Sequence, residues 1–176
     1  MLASEVIQSL GLVPLPVEGG YFLETYRSKA MSRTGSAERS AGTCIYYLLD
    51  HKSISAWHKV ASDEIWLFQG GVPARQLLLF ENGSWEERII GCSLADGQKP
   101  QSVIPAGTWQ STVLDLEAQG VPPSEMNAAA DHVWGLFSTV VIPGFEFADF
   151  QGGSAEELAA RWPQAADLIL TRYILN

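Results

Sequence analysis

The sequence predicts an all-β fold, a sandwich or barrel of antiparallel strands with a short helix at each end. About nine or ten short segments of strand composition follow one another over the middle of the chain, separated by turn residues. No sustained helical period interrupts this series. Amphipathic stretches with helix-capping residues occur near the two ends.

The length and composition of the chain are those of one folded domain. Its 176 residues fit the usual ~100–200 residues per domain. Apolar residues make up 47% of the chain and charged residues 18%, which excludes intrinsic disorder. The formal net charge of −9 argues against nucleic acid and anionic membranes as partners, because both would repel the protein. We therefore predict a single domain over residues 1–176.

The N-terminus and the cysteines predict a cytoplasmic protein. No basic region or long apolar stretch opens the chain, so no secretory signal is expected. No window approaches the ~18 consecutive apolar residues that a membrane-spanning helix needs. Cys44 and Cys92 are far apart and match no metal-ligand pair, so we expect both thiols to be reduced.

Capping residues mark the two helical segments. The N-terminal helix, residues 4–11, has Ser4 as its predicted N-cap and closes with a glycine. The C-terminal helical segment, residues 154–172, opens with a capping box that begins at Ser154 and is interrupted at Pro163.

Between the helices, turn residues delimit the strands. Asn82-Gly83 predicts a hairpin with a type I′ turn, because both central residues of that turn need positive φ. Residues 28–40 are predicted to form a surface loop, and residues 117–131 an inserted loop or short helix over the pocket or at a subunit interface. The predicted strands are residues 21–27, 43–49, 54–60, 64–69, 75–81, 84–90, 101–104, 109–114, 133–142 and 145–150.

Two segments carry polar residues at a known spacing. Residues 58–70 hold a histidine, a glutamate six residues later and a glycine six residues further on. Residues 105–110 have the sequence Pro-Ala-Gly-Thr-Trp-Gln. Both resemble the signature motifs of the cupin superfamily, in which three histidines and a glutamate on inward-facing strands of a jelly roll hold a metal. Val60 and Gln110 stand where these motifs have histidines, so two of the four ligands are replaced.

Longer stretches resemble one family of that superfamily, Cupin_5, formerly called DUF985. The resemblance implies a double-stranded β-helix, the cupin jelly roll, with its core over residues 18–150 and a small-molecule pocket at the mouth of the barrel. It also implies a homodimer, which is common in related cupins, and no established reaction. The stretches that carry the resemblance are residues 17–28, 45–49, 63–66, 105–110 and 143–150.

The histidines argue against a tightly held metal. The chain contains three of them, His51, His58 and His132, and only His58 occupies a motif position. His58 with Glu64 and Gln110 would offer one nitrogen and two oxygens, a weak set for zinc. We therefore predict no cofactor. If a divalent metal is bound, these three residues are its expected ligands.

Strand alternation places His58 and Glu64 in the same interior. His58 shares its face with apolar residues such as Val60, and Glu64 shares its face with Trp66 and Phe68. An imidazole and a carboxylate that point into an aromatic-lined interior should pair and have perturbed pKa values, as catalytic acids and bases do. The alternative is a buried hydrogen bond that only satisfies two polar groups.

Further residues are candidates for contact with a substrate. Strict alternation over residues 21–27 puts Glu24 and Tyr26 on the face opposite Tyr21. Interior aromatic rings suit a planar or sugar-like ligand, although such rings also fill cores without any ligand. The predicted substrate-binding residues are Gln110, Tyr21, Glu24, Tyr46, Trp66, Phe68 and Trp109.

Three functions fit these residues. The first is a metal-independent isomerase or epimerase of a small polar metabolite, sugar-like or acidic. In that reaction His58 is the acid or base, Glu64 orients it and Gln110 binds the substrate. The second is a non-catalytic small-molecule-binding or sensor module. The third is a divalent-metal enzyme, such as a dioxygenase, with an incomplete ligand set. The sequence leaves this choice open.

Overall fold

The computed structural model of the chain describes residues 1–34, 37–116 and 130–174. Its strands are β1 Val13–Pro14, β2 Tyr21–Arg27, β3 Met31–Thr34, β4 Ala37–Ser40, β5 Thr43–Asp50, β6 Ser55–Lys59, β7 Asp63–Gly71, β8 Ala74–Leu79, β9 Trp85–Ile90, β10 Gln101–Ile104, β11 Trp109–Leu114, β12 Trp134–Ile142 and β13 Gln151–Gly152. Its α-helices are α1 Ala3–Leu10, α2 Ala155–Arg161 and α3 Ala166–Thr171, and 3-10 turns lie at Leu94–Asp96, Ala130–His132 and Phe147–Asp149.

The strands form two facing sheets and one separate hairpin. The six-stranded sheet has the order β1-β2-β5-β12-β7-β10, and the five-stranded sheet has the order β13-β6-β11-β8-β9. Strands β3 and β4 form the hairpin. Neighbouring strands within the sheets run antiparallel. The all-β jelly-roll prediction is therefore confirmed.

The main core lies between the two sheets. Tyr47, Trp66 and Phe137 from the six-stranded sheet pack with Leu78 and Ile90 from the five-stranded sheet. The rings of Tyr47 and Trp66 meet edge to face with centroids 5.4 Å apart. This aromatic layer fills one part of the barrel and leaves the other part open to a cavity.

Helices cover part of the outer face of each sheet. Helix α1 packs on the six-stranded sheet, with Val6 against Leu48. Helices α2 and α3 pack on the five-stranded sheet, where Trp162 joins Trp57 and Trp109 in a second apolar cluster. Because both faces of the five-stranded sheet are buried there, strand alternation alone does not distinguish its cavity face from its helix face.

The helix ends agree with the sequence in part. Helix α1 begins at Ala3, so the prediction of Ser4 as its N-cap is wrong: the exposed first turn is instead tied by the Leu2 N–H, which donates to Glu5 Oε2 at 2.8 Å. The residue after α1, Gly11, has φ +65°, as a helix-ending glycine should. Ser154 is confirmed as the N-cap of α2, and the break before α3 contains Pro163 as expected.

Two predicted loops and one predicted strand need correction. Residues 28–40 contain the β3–β4 hairpin, which is fastened by ion pairing between Arg39 and Asp149. Of Asn82 and Gly83 only the glycine has positive φ, so the turn is not type I′. The turn is closed instead by a hydrogen bond from the Gly83 N–H to the Phe80 carbonyl oxygen. Residues 145–150 are not a strand, because a 3-10 turn occupies their second half.

Three further expectations concern the loop, the membrane and the thiols. Residues 117–129 of the predicted insertion lie outside the described residues. Within the described ranges, no helix has the length and apolar character needed to span a membrane. Cys44 and Cys92 are both free thiols.

Candidate functional site

A cavity of about 350 Å³ opens between the two sheets. Strands β2, β5, β7 and β12 of one sheet and β6 of the other contribute to it, together with the chain segments before β2 and after β12. Its walls are largely apolar and include Phe22, Ile45, Val60, Val141, Phe145 and Phe150. Polar groups concentrate at a buried inner end and at a more exposed mouth.

His58 occupies the inner end, and its ring is fixed from two sides. The residue is 2% exposed. Nδ1 lies 2.7 Å from the carbonyl oxygen of Ala56, which places a proton on Nδ1 and makes Nε2 the acceptor atom of the neutral ring. The ring stacks on Phe150 with a centroid distance of 5.2 Å and an interplanar angle of 15°. His58 is therefore held with its basic nitrogen available to the cavity.

Glu64 lies beside His58 at the start of β7 and is 7% exposed. Its Oε2 accepts a hydrogen bond from Gln110 Nε2 at 2.7 Å. Burial raises the pKa of the Glu64 carboxyl, and the nearby Glu18 charge adds to that rise. A positive charge on His58 and hydrogen bonds from Gln110 and Thr139 act in the other direction and lower the Glu64 pKa. The balance leaves a carboxyl that holds its proton to higher pH than an exposed glutamate.

Glu18 is a second carboxylate at the inner end. It comes from the loop between β1 and β2, and its Oε1 lies 3.9 Å from His58 Nε2. The same oxygen accepts a hydrogen bond from the Ser55 hydroxyl at 2.8 Å, and the Glu18 carbonyl accepts one from the Ala56 N–H at 2.8 Å. These bonds tie the loop to β6 and place the Glu18 carboxylate beside the imidazole.

Two glycines allow the loop to approach that closely. Gly19 has φ +96°, and a Cβ there would clash with the Ile54 carbonyl oxygen. Gly20 has φ +68°, and a Cβ there would lie 2.7 Å from the Leu48 carbonyl oxygen. The hydroxyl of Tyr47 also donates to the Gly19 carbonyl at 2.9 Å. The Gly-Gly pair thus allows the loop to place Glu18 beside His58.

Arg27 marks the mouth of the cavity. It makes a two-pronged ion pair with Glu24, with N–O distances of 3.0 and 2.8 Å, and a second pair with Glu146 at 2.8 Å. A bulge in β2 near Thr25 turns Arg27 to the cavity side and Tyr26 away from it. Strict alternation therefore gives the wrong face for Tyr26, which lies on the side of Tyr21.

Three sequence-predicted residues line the cavity: His58, Glu64 and Glu24. Gln110 is fully buried behind Glu64 and contacts it. The structure thus brings the predicted imidazole, carboxylate and amide together at one place.

The predicted aromatic residues lie elsewhere. Tyr21 and Tyr46 pack near α1 on the outer face of the six-stranded sheet. Trp66 and Phe68 belong to the core between the sheets. Trp109 lies under the C-terminal helices, where Lys59 Nζ stands 5.0 Å from its ring centre. None of the five is among the residues that line the cavity as described.

Sequence reasoning missed four residues that shape the cavity. Glu18 stands next to the Gly19-Gly20 pair, and paired glycines often mark a close approach of the backbone. Arg27 was missed because the bulge in β2 changes the face on which it lies. Glu146 and Phe150 were missed because their segment was predicted to be a strand. Each is placed by an irregular backbone feature that a period of two does not reveal.

The residues present do not fit the metal site of the cupin motifs. Val60 lines the cavity without offering a ligand atom. Gln110 turns its amide nitrogen, not its oxygen, toward Glu64. Among the residues with described positions, no group of three His, Cys, Asp or Glu side chains is arranged to hold a metal ion. We therefore assign no metal-dependent step to His58, Glu64 and Gln110.

Comparisons with known proteins agree with this architecture. The family model Cupin_5, described as Cupin superfamily (DUF985), matches residues 4–152. The uncharacterized protein YML079W of Saccharomyces cerevisiae is 31% identical over 144 residues, a match that covers 75% of this chain and 66% of that protein. The match thus spans just under two thirds of that relative.

Solved structures give the same result. A hypothetical protein from Leishmania major superposes with a TM-score of 0.83 at 25% identity, covering 97% of each chain. Protein SO0799 from Shewanella oneidensis superposes with a TM-score of 0.81 at 27% identity, covering 100% of this chain and 99% of that one. Oxalate decarboxylase from Bacillus subtilis, at 15% identity and a TM-score of 0.51 over 97% of this chain and 38% of that one, shares the fold alone.

Proposed function

This chain belongs to the Cupin_5 (DUF985) family of the cupin superfamily, and we propose that its cavity binds a small polar metabolite and moves a proton on it, with His58 as the acid–base group. The observation that carries the proposal is the pairing of a buried imidazole and a buried carboxylate in one cavity with room for a ligand. Its volume of about 350 Å³ falls within the ~300–1,000 Å³ of small-molecule sites.

The fixed ring of His58 supports its role as the base. Because Nδ1–H donates to the Ala56 carbonyl, Nε2 is the nitrogen that carries the free electron pair in the neutral imidazole. No described side chain donates to Nε2, and the nearest carboxylate oxygen, on Glu18, is itself an acceptor. A ligand in the cavity therefore meets a positioned base rather than one already engaged.

Glu64 supports the role of proton donor. Its raised pKa keeps a larger fraction of the carboxyl protonated than in an exposed glutamate at the same pH. In the proposed isomerase or epimerase step, His58 Nε2 takes a proton from a carbon beside a carbonyl group, and the C–H electron pair moves to the carbonyl oxygen as an enolate. Glu64 then returns a proton to carbon, and transfer from His58 to Glu64 restores both groups.

Gln110 is proposed as a positioning residue. It is fully buried, and its Nε2 donates to Glu64 at 2.7 Å. That hydrogen bond fixes the direction in which the carboxyl presents its other oxygen. Gln110 therefore acts through Glu64, in place of the direct contact with substrate that its sequence position predicts.

The charges around the cavity disfavour an acidic ligand and leave sugar-like and other non-acidic polar ligands as candidates. Four carboxylates line it, on Glu18, Glu24, Glu64 and Glu146. Arg27, the one guanidinium among the described lining residues, is already paired with two of them. An anionic ligand would be repelled by this surplus of negative charge.

The direct test is a thermal-shift screen of the purified protein against a metabolite library. A ligand at 100 times its Kd stabilises the folded state by about 2.7 kcal/mol. We expect polar compounds without a negative charge to raise Tm, and the shift to fall in His58→Gln and Glu64→Gln but not in the control Glu81→Gln, an exposed carboxylate on the β8–β9 turn. Equal shifts in all four proteins would contradict the proposal.

A non-catalytic binding module is the second outcome of this screen. It would be supported by a compound that binds in the cavity but exchanges no proton in the presence of the protein. The hydrogen bonds of His58 and Glu64 would then serve only to satisfy buried polar groups.

A homodimer and a cytoplasmic location are also proposed. Exposed Leu23 and Tyr26 lie on the outer face of β2 and support a protein interface there. The free thiols of Cys44 and Cys92 support a reducing compartment. A mass of 19.2 kDa in sedimentation at micromolar concentration would contradict the dimer.

A further inference from the structure

The inner end of the cavity is rich in hydrogen-bond acceptors. Glu18 presents a carboxylate, and His58 presents Nε2, the ring nitrogen that accepts a hydrogen bond in the neutral imidazole. Their nearest atoms are 3.9 Å apart, too far for a hydrogen bond between them. The Ser55 hydroxyl already donates to Glu18, and the Gln110 amide donates to Glu64. The described protein groups thus leave acceptor positions open to a ligand.

The imidazole makes this more than a group of acidic residues. His58 is 2% exposed and lines the cavity, and no described side chain hydrogen-bonds to its Nε2. A buried polar atom without a partner is costly unless something in the cavity pairs with it. A partner that brings donors can pair with this nitrogen and with the neighbouring Glu18 carboxylate.

The remaining walls define the other part of the ligand. Phe22, Phe145 and Phe150 line the cavity together with aliphatic side chains. The rings of Phe145 and Phe147 meet edge to face at 5.3 Å near the mouth. A ligand that extends from the inner end toward the mouth therefore passes along an apolar, aromatic surface.

We propose that the cavity recognises an amphipathic amine, whose ammonium group donates to Glu18 and Glu64 and whose apolar body lies against the phenylalanine walls. The proposal rests on the proposed function, because it names the substrate class of the same cavity. An ammonium has three donors and no acceptor, and its charge offsets part of the excess where four acidic groups meet one paired guanidinium.

Three probes that share one ring test the proposal on the intact protein. They are 2-phenylethylamine, 2-phenylethanol and phenylacetate, titrated by ¹H–¹⁵N NMR at neutral pH. We expect the amine to bind at least about tenfold more tightly than the alcohol, as a charge-assisted hydrogen bond in a buried site requires. Phenylacetate should bind most weakly of the three.

Two cavity variants and one control locate the effect. Glu18→Gln and Glu64→Gln should each weaken binding of the amine by about tenfold and leave binding of the alcohol within about threefold. Glu81→Gln, an exposed carboxylate outside the cavity, should change neither.

The outcomes separate the two proposals. Phenylacetate binding as tightly as the amine would overturn the amine proposal and leave the proposed function standing. Amine binding that is unchanged in both cavity variants would do the same. Failure of all three probes to perturb residues around the cavity would count against both. The comparison of the three probes needs only the unsubstituted protein, so it holds even where a variant fails to fold.

Discussion

His58 Nε2 and Glu18 Oε1 lie 3.9 Å apart at the inner end of the cavity, although they come from different parts of the fold. His58 is on β6, and Glu18 is in the loop before β2. The loop is tied to β6 by hydrogen bonds from the Ser55 hydroxyl and the Ala56 N–H. Strand β6 thus carries the imidazole and also anchors the loop that holds the carboxylate beside it.

Replacement of Glu64 should change how stability depends on pH. Its folded-state pKa is raised above the ordinary value of 4.5, so the stability it contributes is present at low pH and lost as pH rises through the folded pKa. Glu64→Gln removes this loss. The Tm of the variant minus that of the parent should therefore increase from pH 4 to pH 8. Each kcal/mol of difference in unfolding free energy corresponds to about 2–4 °C in Tm.

Glu86→Gln is the control with the opposite sign. Arg88 lowers the pKa of Glu86 by a hydrogen bond, so that carboxylate stabilises the fold at neutral pH and loses this effect as pH falls. The pair is exposed, and its effect should be small. A Tm difference for Glu64→Gln that stays flat with pH would show that the Glu64 pKa is not raised.

Gly19→Ala should destabilise the protein by disturbing the loop that carries Glu18. The residue has φ +96°, and a Cβ would meet the Ile54 carbonyl oxygen, an atom of the backbone that cannot move aside cheaply. We expect a loss of about 1–3 kcal/mol in the free energy of unfolding, measured with urea.

Gly42→Ala is the matched control for that loss. A Cβ at Gly42 has its nearest neighbour at 3.6 Å, and this glycine is not among those with positive φ. Its effect should stay within about 1 kcal/mol. Equal losses at the two glycines would argue against the tight loop geometry described around Glu18.

Asp149→Ala should release the β3–β4 hairpin from the 3-10 turn beside the cavity. The side chains of Arg39 and Asp149 are 11% and 14% exposed, and removal of the carboxylate leaves a largely buried guanidinium unpaired. The expected loss is about 2–3 kcal/mol in urea unfolding.

Arg27→Ala provides the comparison for that ion pair. Arg27 and Glu24 are 40% and 38% exposed, so this pair should contribute less than about 1 kcal/mol. Equal losses of unfolding free energy in Asp149→Ala and Arg27→Ala would contradict the description of Arg39–Asp149 as a largely buried ion pair.

Regular strands were predictable from the sequence because their composition and turn boundaries are local. Strands β2 and β11 have the predicted ends, and His58 and Glu64 both line the cavity as predicted. The face of Trp109 was not predictable in this way. Strand β11 is buried on both sides, by the cavity side of the barrel and by the C-terminal helices, so alternation carries no information there.

Irregular backbone explains the remaining differences. The bulge near Thr25 exchanges the faces of Tyr26 and Arg27. Glu18 reaches the site through a loop with two left-handed glycines, and Phe150 reaches it from the end of a 3-10 turn. These placements depend on contacts with distant parts of the chain, which a reading of local periodicity does not include.

Proton exchange between ligand carbon and solvent tests the central claim most directly. A compound that raises the Tm of the protein is incubated with it in D₂O, and loss of the C–H signal is followed by ¹H NMR. We expect the protein to accelerate exchange and His58→Gln to reduce the rate by about 10²–10⁴-fold while the compound still binds. Exchange at an unchanged rate in His58→Gln would contradict the assignment of His58 as the group that moves the proton.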